Sequence, residues 1–433
     1  MPRQIRLNLN LQTAGRHDAA WKTLEHTERL GNDVGHHVQV AKLAEKGKLD
    51  AVFLADGHGS LSPEASRRPW RGLDPTVLAA TIAGQTERIG LVSTVHAIYG
   101  HPFNVARSIA SLDQVSHGRA AWNIITSQNQ PTLDALGLEG TLDPDTRYRK
   151  ANEFVEIVTS LWDSFPQSAI ADDKERDIYV DASKTVPVDV QGEFYASRAV
   201  LPVPGGYAGR PVLFQAGASD HSRAFGAKWA DALFTGQRTK ELAQQFAKHV
   251  KGAAAANGRD PEKLVVLPGL FVILGSTEAR AQARKDELDA LLDADYLLDK
   301  LAEQLGIPAS ELPLDEEPPY ARLAAAPADT SLQARHREQL VTEARTRGLT
   351  VRQLLFNNLS GGHRVLIGTP DQVADDIIEW VDDGASDGFN INIDVQTEGL
   401  EQFIDGVVAE LQRRGRFRKD YEYETFRENL GVA

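Results

Sequence analysis

The sequence of 433 residues contains no cysteine, and its single methionine is Met1. Without cysteine the chain cannot form a disulfide framework, a thiolate zinc site or an iron–sulfur cluster, and it cannot use a cysteine nucleophile. The side chains left for chemistry are hydroxyl, carboxylate, imidazole and amine groups. These absences therefore exclude sulfur-based catalysis and sulfur-based metal binding.

A surplus of basic residues and a long hydrophobic run are also absent. The chain carries 47 basic against 61 acidic residues, a net charge of −14, whereas binding to nucleic acid needs a basic face. The most apolar stretch, residues 264–275, is interrupted by Pro268 and Gly269 and is shorter than the roughly 20 residues that cross a bilayer. The first residues lack the apolar core of a signal peptide. We therefore expect a soluble, cytoplasmic protein with no nucleic-acid partner and no membrane association.

Short apolar runs alternate with longer amphipathic segments, which is typical of βα units around a parallel sheet. The candidate strands are residues 5–12, 51–56, 89–95, 119–126, 211–217, 231–235, 264–274 and 389–393. Eight strands predict an α/β fold, a (β/α)8 TIM barrel with large insertions near residues 163–211 and 275–363, as one domain over residues 1–433. An open doubly wound sheet is the alternative, because periodicity does not separate the two folds.

The reactive residues of a parallel barrel lie at the C-terminal ends of its strands. These positions hold Asp56, Thr94 and His96, and His58 follows two residues after Asp56. One interpretation is a metal-dependent hydrolase or aldolase that uses Asp56 and His58, with His96 and His17 nearby. No His-x-His or Glu-x-x-His spacing occurs at a strand end, so we favour a pocket of hydrogen-bonding side chains and predict no metal site.

A phosphate site is a separate hypothesis for residues 215–222, QAGASDHS. Small residues after a strand let backbone N–H groups approach an anion at the start of the next helix. Ordinary N-capping by Ser219 explains the same residues, and composition alone favours this simpler interpretation. A usable Gly-rich dinucleotide fingerprint and a Gly-x-Ser-x-Gly elbow are both missing from the sequence.

Several motifs are spread over nearly the whole chain. They are AVFLAD at 51–56, ASLDQVSHGRAAWNIITS at 110–127, RY at 147–148 before EFVE at 153–156, QAGAS at 215–219, GTPDQVA at 368–374 and DGFN at 387–390. In this order they resemble the bacterial-luciferase-like flavin monooxygenases. The branch that they resemble includes nitrilotriacetate monooxygenase, the large subunit of pristinamycin synthase and dibenzothiophene-sulfone monooxygenase.

The resemblance implies an FMN-dependent monooxygenase, the oxygenase component of a two-component system. Reduced FMN would be a diffusible co-substrate, O2 the oxidant and a separate NAD(P)H:flavin reductase the partner. Carried over by position, Asp56 and Thr94 would contact the flavin, and Tyr148, Ala218 and Ser219 would hold its phosphate. At Ser219 the resemblance favours the phosphate site over simple capping.

The implied reaction passes through a flavin C4a-hydroperoxide that transfers one oxygen atom to a small organic substrate. The candidate catalytic side chains are His17, His58 and His96. Residues 275–363 and 60–73 are expected to enclose the site and exclude water. The family also implies a homodimer or a homotetramer.

The chain departs from the family pattern at Pro144, where members often carry a histidine four residues before the tyrosine of the RY motif. Proline has no side-chain donor, so one expected hydrogen bond to the cofactor must come from another residue. A flavin-binding relative that has lost oxygen transfer is the alternative that this departure leaves open.

Overall fold

The computed structural model describes residues 3–56, 61, 63–70, 72–207, 209–325, 332–358 and 362–433. Among these residues, no helix is both long enough and apolar enough to span a bilayer. The strands are β1 Arg6–Asn10, β2 Ala51–Leu54, β3 Gly90–His96, β4 Ala120–Ile125, β5 Ile170–Asp173, β6 Ile178–Val180, β7 Val188–Gln191, β8 Ala196–Ala199, β9 Val212–Ala216, β10 Ala232–Thr235, β11 Val265–Leu274, β12 Arg364–Gly368 and β13 Gly388–Ile393.

The barrel is closed by eight parallel strands in the order β1, β2, β3, β4, β9, β10, β11 and β13, and β13 pairs again with β1. Leu9 of β1 lies opposite both Val52 of β2 and Ile391 of β13, so the first and last strands are neighbours. Each predicted strand contributes one of these eight. The predicted TIM barrel is therefore confirmed, and closure excludes the open sheet.

A further parallel strand, β12, was not predicted from the sequence. It pairs with Leu270–Leu274, the upper half of β11, while the lower half of β11 pairs with β10. Strand β11 has ten residues and extends beyond the end of the four-residue β10. The C-terminal half of β11 can therefore pair with another strand on this side. The short run of β12 carries too little pattern to be recognised alone.

The helices of the described residues surround the barrel or belong to its insertions. They are α1 Val34–Lys46, α2 Pro75–Ala83, α3 Pro102–Val115, α4 Gln130–Leu136, α5 Pro144–Ser164, α6 Asp220–Trp229, α7 Lys240–Ala256, α8 Glu278–Ala290, α9 Ala294–Leu305, α10 Tyr320–Ala324, α11 Leu332–Arg347, α12 Val351–Asn358, α13 Pro370–Asp382, α14 Glu398–Gln402, α15 Ala409–Arg413 and α16 Phe426–Leu430. A π-helical turn, Phe403–Val408, joins α14 to α15.

Local signals explain where several helices begin. Asp74 and Asp143 cap α2 and α5 by accepting hydrogen bonds from backbone N–H groups, and each is followed by proline at the first helical position. Thr369 and Gln372 form a capping box at the start of α13. Pro144, the departure from the family pattern, is thus the first residue of α5.

The two insertions have different structures. Residues 163–211 contain two antiparallel hairpins, β5 with β6 and β7 with β8. Residues 275–363 contain helices α8 to α12, as their composition predicts. Buried leucines of α9, α11 and α12, with Ile307 and Val351, form a separate small core there.

Alternate strand residues form the apolar part of the barrel interior, which comprises Ala51, Phe53, Val92, Ala121, Val212, Phe214, Ala232, Val265 and Leu267. Helix α16 covers the N-terminal end of the barrel, because Phe426 stacks on Phe214 with ring centroids 6.2 Å apart and planes 6° apart. The opposite, C-terminal end carries the polar residues of the predicted site.

Candidate active site

A buried polar pair joins the ends of β3 and β4. Thr94 is 3% exposed, and its hydroxyl accepts a hydrogen bond of 2.9 Å from the amide of Asn123. Thr94 alternates with the interior residue Val92, so its side chain lies on the interior face of β3. The amide oxygen of Asn123 has no hydrogen-bond partner among the described residues. The predicted flavin contact Thr94 therefore lies beside an interior acceptor that no group in the described part of the chain uses.

His96 lies on the same face of β3 as Thr94, one alternation further along the strand. It is 6% exposed, and its ring centroid lies 4.8 Å from that of Tyr99. Among the predicted histidines within the described residues, His96 is the one that shares this face with Thr94.

Asp56 lies just beyond the end of β2 and is half-buried. Strands β2 and β3 are paired, with Leu54 opposite Ser93, so Asp56 is at the same edge of the barrel as the end of β3. His58 lies outside the described residues. Within the described ranges, no three His, Asp or Glu side chains converge in a way that could hold a metal ion.

His17 makes two contacts that tie the segment after β1 to helix α8. Its Nε2 lies 3.0 Å from the carboxylate of Asp289, and its Nδ1 accepts the backbone N–H of Ala19 at 3.2 Å. The ring is 4% exposed. Because Nδ1 accepts this hydrogen bond, Nε2 carries the ring hydrogen and donates a hydrogen bond to the carboxylate of Asp289. These contacts fix the His17 ring between the segment after β1 and helix α8.

The turn from β9 into α6 has the geometry of an anion cradle. Gly217 has a φ of +150°, and a Cβ there would lie 2.2 Å from Oγ of Ser222, so another residue would be strained. Ser219 caps α6 by accepting the N–H of Ser222 at 3.3 Å. Ala218 and Ser219 are exposed, so the partial positive charge of the helix start faces solvent.

Tyr148 of α5 packs against the same helix. Its ring stacks on His221 with centroids 5.5 Å apart and meets the edge of Phe225 at 5.7 Å. The guanidinium of Arg147 lies 5.5 Å from the Tyr148 ring, and its Nε has no partner among the described residues. The structure thus brings Tyr148 to the helix that Ser219 caps. Sequence reasoning missed Arg147 and His221, although Arg147 belongs to the RY motif.

The sequence analysis also missed a wall of asparagines inside the barrel. Asn8 and Asn10 of β1 and Asn390 and Asn392 of β13 are all buried, and Asn10 donates a 2.9 Å hydrogen bond to Asn392. Both amide atoms of Asn8 and of Asn390 lack a partner within the described part of the chain. The signal was present, because asparagine alternates with leucine or isoleucine in both strands.

His363 lies just before β12, at the mouth of the barrel. Its ring stacks on Phe234 with centroids 5.3 Å apart, and Phe234 in turn contacts the interior residue Phe53. Burial, followed by the charges of Arg16 and Arg238, lowers the pKa of His363 to about 4. The imidazole is therefore neutral at pH 7. A single histidine beside glycines gave no sequence signal for this position.

The family described as luciferase-like monooxygenase matches residues 12–387 of the chain. The chain belongs to this family. The predicted resemblance is therefore confirmed, and the enzyme is a flavin-dependent monooxygenase.

Individual luciferase-like proteins match over almost their full lengths. The N-acetyl-S-(2-succino)cysteine monooxygenase of Bacillus subtilis (strain 168) is 40% identical over 99% of this chain and 97% of its own. Nitrilotriacetate monooxygenase component A of Aminobacter aminovorans is 36% identical over 100% of this chain and 97% of its own. The solved structure of EDTA monooxygenase from Chelativorans sp. BNC1 has a TM-score of 0.82 at 32% identity, covering 100% and 99% of the two chains.

The residues at the barrel mouth fit a flavin. The amide oxygen of Asn123, which is buried beside Thr94 and has no partner among the described residues, can accept a hydrogen bond from a ring N–H. The turn at Gly217 leads into the exposed residues Ala218 and Ser219 at the start of α6, where backbone N–H groups can face an anion. Both features suit a planar, hydrogen-bonding ring system with an anionic tail.

Proposed function

We propose that the enzyme is the oxygenase component of a two-component system that takes reduced FMN and O2 and adds one oxygen atom to a small organic substrate. The observation that carries this proposal is that two features lie at the same, C-terminal end of the barrel. The buried Thr94–Asn123 pair suits the ring, and the Gly217 turn at the start of α6 suits a phosphate. An FMN-sized flavin needs both.

In this proposal Asp56 and Thr94 contact the flavin ring, while Ala218, Ser219 and Tyr148 hold the phosphate. Arg147 supplies a positive charge at the phosphate, because it lies against the Tyr148 ring. This charge compensates for the donor that Pro144 does not provide. Arginine is well suited to phosphate, since its guanidinium offers several donors in a fixed plane.

Reduced flavin, when bound, supplies the activation of O2. The protein's own residues position the ring, exclude water and manage protons. His96 is the proposed proton donor at the substrate side, because it shares the interior face of β3 with Thr94. His58 remains a candidate for the same role by its place in the sequence, and His17 is proposed to support the mouth through Asp289.

A separate NAD(P)H:flavin reductase is the proposed source of reduced FMN. The name of the Aminobacter relative, component A, describes one part of a larger system. We further propose a cytoplasmic homodimer or homotetramer with one domain per chain. The similar proteins are named for different substrates, so the substrate must be argued from this chain's own residues.

Anaerobic titration with reduced FMN, followed by the change in flavin fluorescence, tests the cofactor assignment. We expect micromolar or tighter binding, and at least tenfold weaker binding of reduced riboflavin, which has no phosphate. Equal affinity for the two flavins would contradict the phosphate site, and absence of binding to either would contradict the proposed function.

A further inference from the structure

Three neighbouring positions on the barrel wall form a polar row in the interior. Asn8 of β1 lies opposite Asn390 of β13, and Asn390 lies opposite Gly269 of β11. Residues next to the asparagines in sequence, such as Leu9 and Ile391, belong to the core between the strands and the helices. Because side chains alternate along a strand, both asparagines face the barrel interior. We call Asn8, Asn390 and Gly269 the amide row.

The side-chain amides of the row are buried without partners. Asn8 is 0% exposed and Asn390 is 1% exposed, and the four oxygen and nitrogen atoms of the two amides have no hydrogen-bond partner among the described residues. One level higher on the same two strands, Asn10 donates a 2.9 Å hydrogen bond to Asn392. Burying an amide without a hydrogen bond is costly. The lower pair is therefore arranged to bind another molecule.

The imidazole of His363 occupies the third place of the row. Gly269 has no side chain, and a Cβ built on it would lie 2.2 Å from Nδ1 of His363. That nitrogen is buried and has no partner within the described ranges. His363 as a whole is only partly buried, and its ring stacks on Phe234. The ring therefore extends from the amide row to the barrel mouth.

Water is the ligand that suits these five atoms. They include amide N–H donors and amide oxygen acceptors, so a bound molecule must both donate and accept hydrogen bonds. A buried water molecule makes about three hydrogen bonds, so about two water molecules satisfy the set. An ion suits the row less well. The asparagines carry no charge, and burial is the main cause that lowers the pKa of His363 to about 4, which keeps the ring neutral at pH 7.

We infer that Asn8, Asn390 and His363 bind water inside the barrel, and that His363 relays protons between this water and the reaction site. When one oxygen atom of O2 is added to a substrate, the other leaves as water with two hydrogen atoms from the reduced flavin, so protons must move at the site. A neutral imidazole relays a proton by accepting one at one nitrogen while it releases the proton of the other nitrogen. No electrons move and no net charge stays on the ring.

The relay rests on the proposed function, whereas the water site does not. Two measurements on the flavin-free protein therefore test the water site alone. In a high-resolution crystal structure of the wild type, we expect water at about 2.7 to 3.2 Å from the amides of the row and from Nδ1 of His363. Oxygen-17 relaxation dispersion of the solvent counts long-lived internal water molecules in solution.

Asn390→Leu should lose about one or two of the long-lived water molecules, because leucine offers no hydrogen bond. Ile391→Leu is the matched control, since Ile391 is the next residue of β13 but faces the outer core. Its count should equal that of the wild type.

Two results would overturn the water site. One is a direct hydrogen bond between the amides of Asn8 and Asn390, with no water beside them, in the wild-type crystal structure. The other is an equal count of internal water in the wild type and in Asn390→Leu. The wild-type crystal structure decides the question even if the variant does not fold.

Stopped-flow oxidation of the reduced-FMN complex by O2, without substrate, tests the relay. Reduced FMN and O2 then give oxidised FMN and hydrogen peroxide, and saturating flavin makes the rate independent of affinity. His363→Ala should be at least about fivefold slower, and 4-methylimidazole should restore part of the rate, because alanine leaves space beside Gly269. His363→Phe fills that space, so it should be slow and should not respond to 4-methylimidazole.

His117→Asn is the matched control for the relay. His117 is exposed, lies just before β4 at the N-terminal end of the barrel, and has a positive φ that asparagine tolerates. Its oxidation rate should equal that of the wild type, with and without 4-methylimidazole.

An unchanged rate in His363→Ala would overturn the relay. A slow rate that 4-methylimidazole does not restore, or that it restores equally in His363→Ala and His363→Phe, would overturn it too and indicate a structural role. Absence of reduced-FMN binding by the wild type would instead count against the proposed function, and the crystallographic and relaxation results would stand.

Discussion

The imidazole of His363 stacks on the ring of Phe234 at the mouth of the barrel, with 23° between the ring planes. This contact joins the segment before β12 to the interior face of β10. Because the ring is removed from water and faces Arg16 and Arg238, its protonation opposes the native packing.

We expect His363 to make stability depend on pH below neutrality. Its pKa is about 4 in the folded protein and 6.5 is the ordinary value, so the unfolded chain binds more protons between these limits. Stability should therefore fall as the pH falls from 6.5 to 4. In His363→Phe, which keeps the aromatic stack, the loss of Tm over this window should be smaller by about 1 to 3 °C. Parallel curves for the two proteins would contradict the assigned pKa.

Asp113 should have the opposite pH dependence. Burial raises its pKa to about 6, against the hydrogen bonds from the backbone N–H groups of Tyr207 and Ala120. The folded protein then binds more protons than the unfolded chain between pH 4 and 6, so stability is lost as the pH rises through this range. The effect is roughly 3 kcal/mol. Denaturant titrations across this window should show it in the wild type and lack it in Asp113→Asn.

Gly217→Ala should weaken flavin binding and destabilise the protein by about 1 to 3 kcal/mol, because a Cβ would meet Ser222 and the positive φ is unfavourable. Gly252→Ala is the matched control. Gly252 lies in α7, where a Cβ meets nothing within 4 Å, so alanine should be neutral or stabilising by about 0.5 to 1 kcal/mol. Thermal unfolding and reduced-FMN titration of both variants measure the two effects.

Arg147→Gln should lower the affinity for reduced FMN by about tenfold, since it removes a charge beside Tyr148. Its affinity for reduced riboflavin should be unchanged, because the charge acts on the phosphate. Arg149→Gln is the matched control: Arg149 is on the same helix but is exposed and pairs with Glu193 at 3.1 Å. An equal loss for both flavins would indicate a structural role for Arg147.

Phe426→Ala should destabilise the protein by about 3 to 5 kcal/mol, since it opens a cavity at the closed end of the barrel. Phe426 is 1% exposed and stacks on Phe214, far from the C-terminal strand ends. Chemical denaturation measures the loss. Reduced-FMN affinity of the folded variant should match the wild type, and a large change would show that the two ends of the barrel are coupled.

Local patterns predicted most of the fold. Apolar runs ending in polar residues predicted the eight barrel strands, and strand ends together with the family resemblance proposed Asp56, Thr94, Tyr148 and Ser219 as site residues. The same patterns missed β12, because its partner is only the upper half of an unusually long β11. They also missed Asn123, because its hydrogen bond to Thr94 forms only when the two neighbouring strands pair.

The sequence by itself determined the absence of sulfur chemistry, the alternation of strands and helices, and the family, because these depend on composition and on neighbours within a few turns. Only the tertiary structure decided which distant side chains meet at the barrel mouth. Arg16 and Lys300 line the same pocket because closure of the barrel brings the segment after β1 close to helix α9 of the second insertion. No local pattern encodes that meeting, since it depends on packing between segments nearly 300 residues apart.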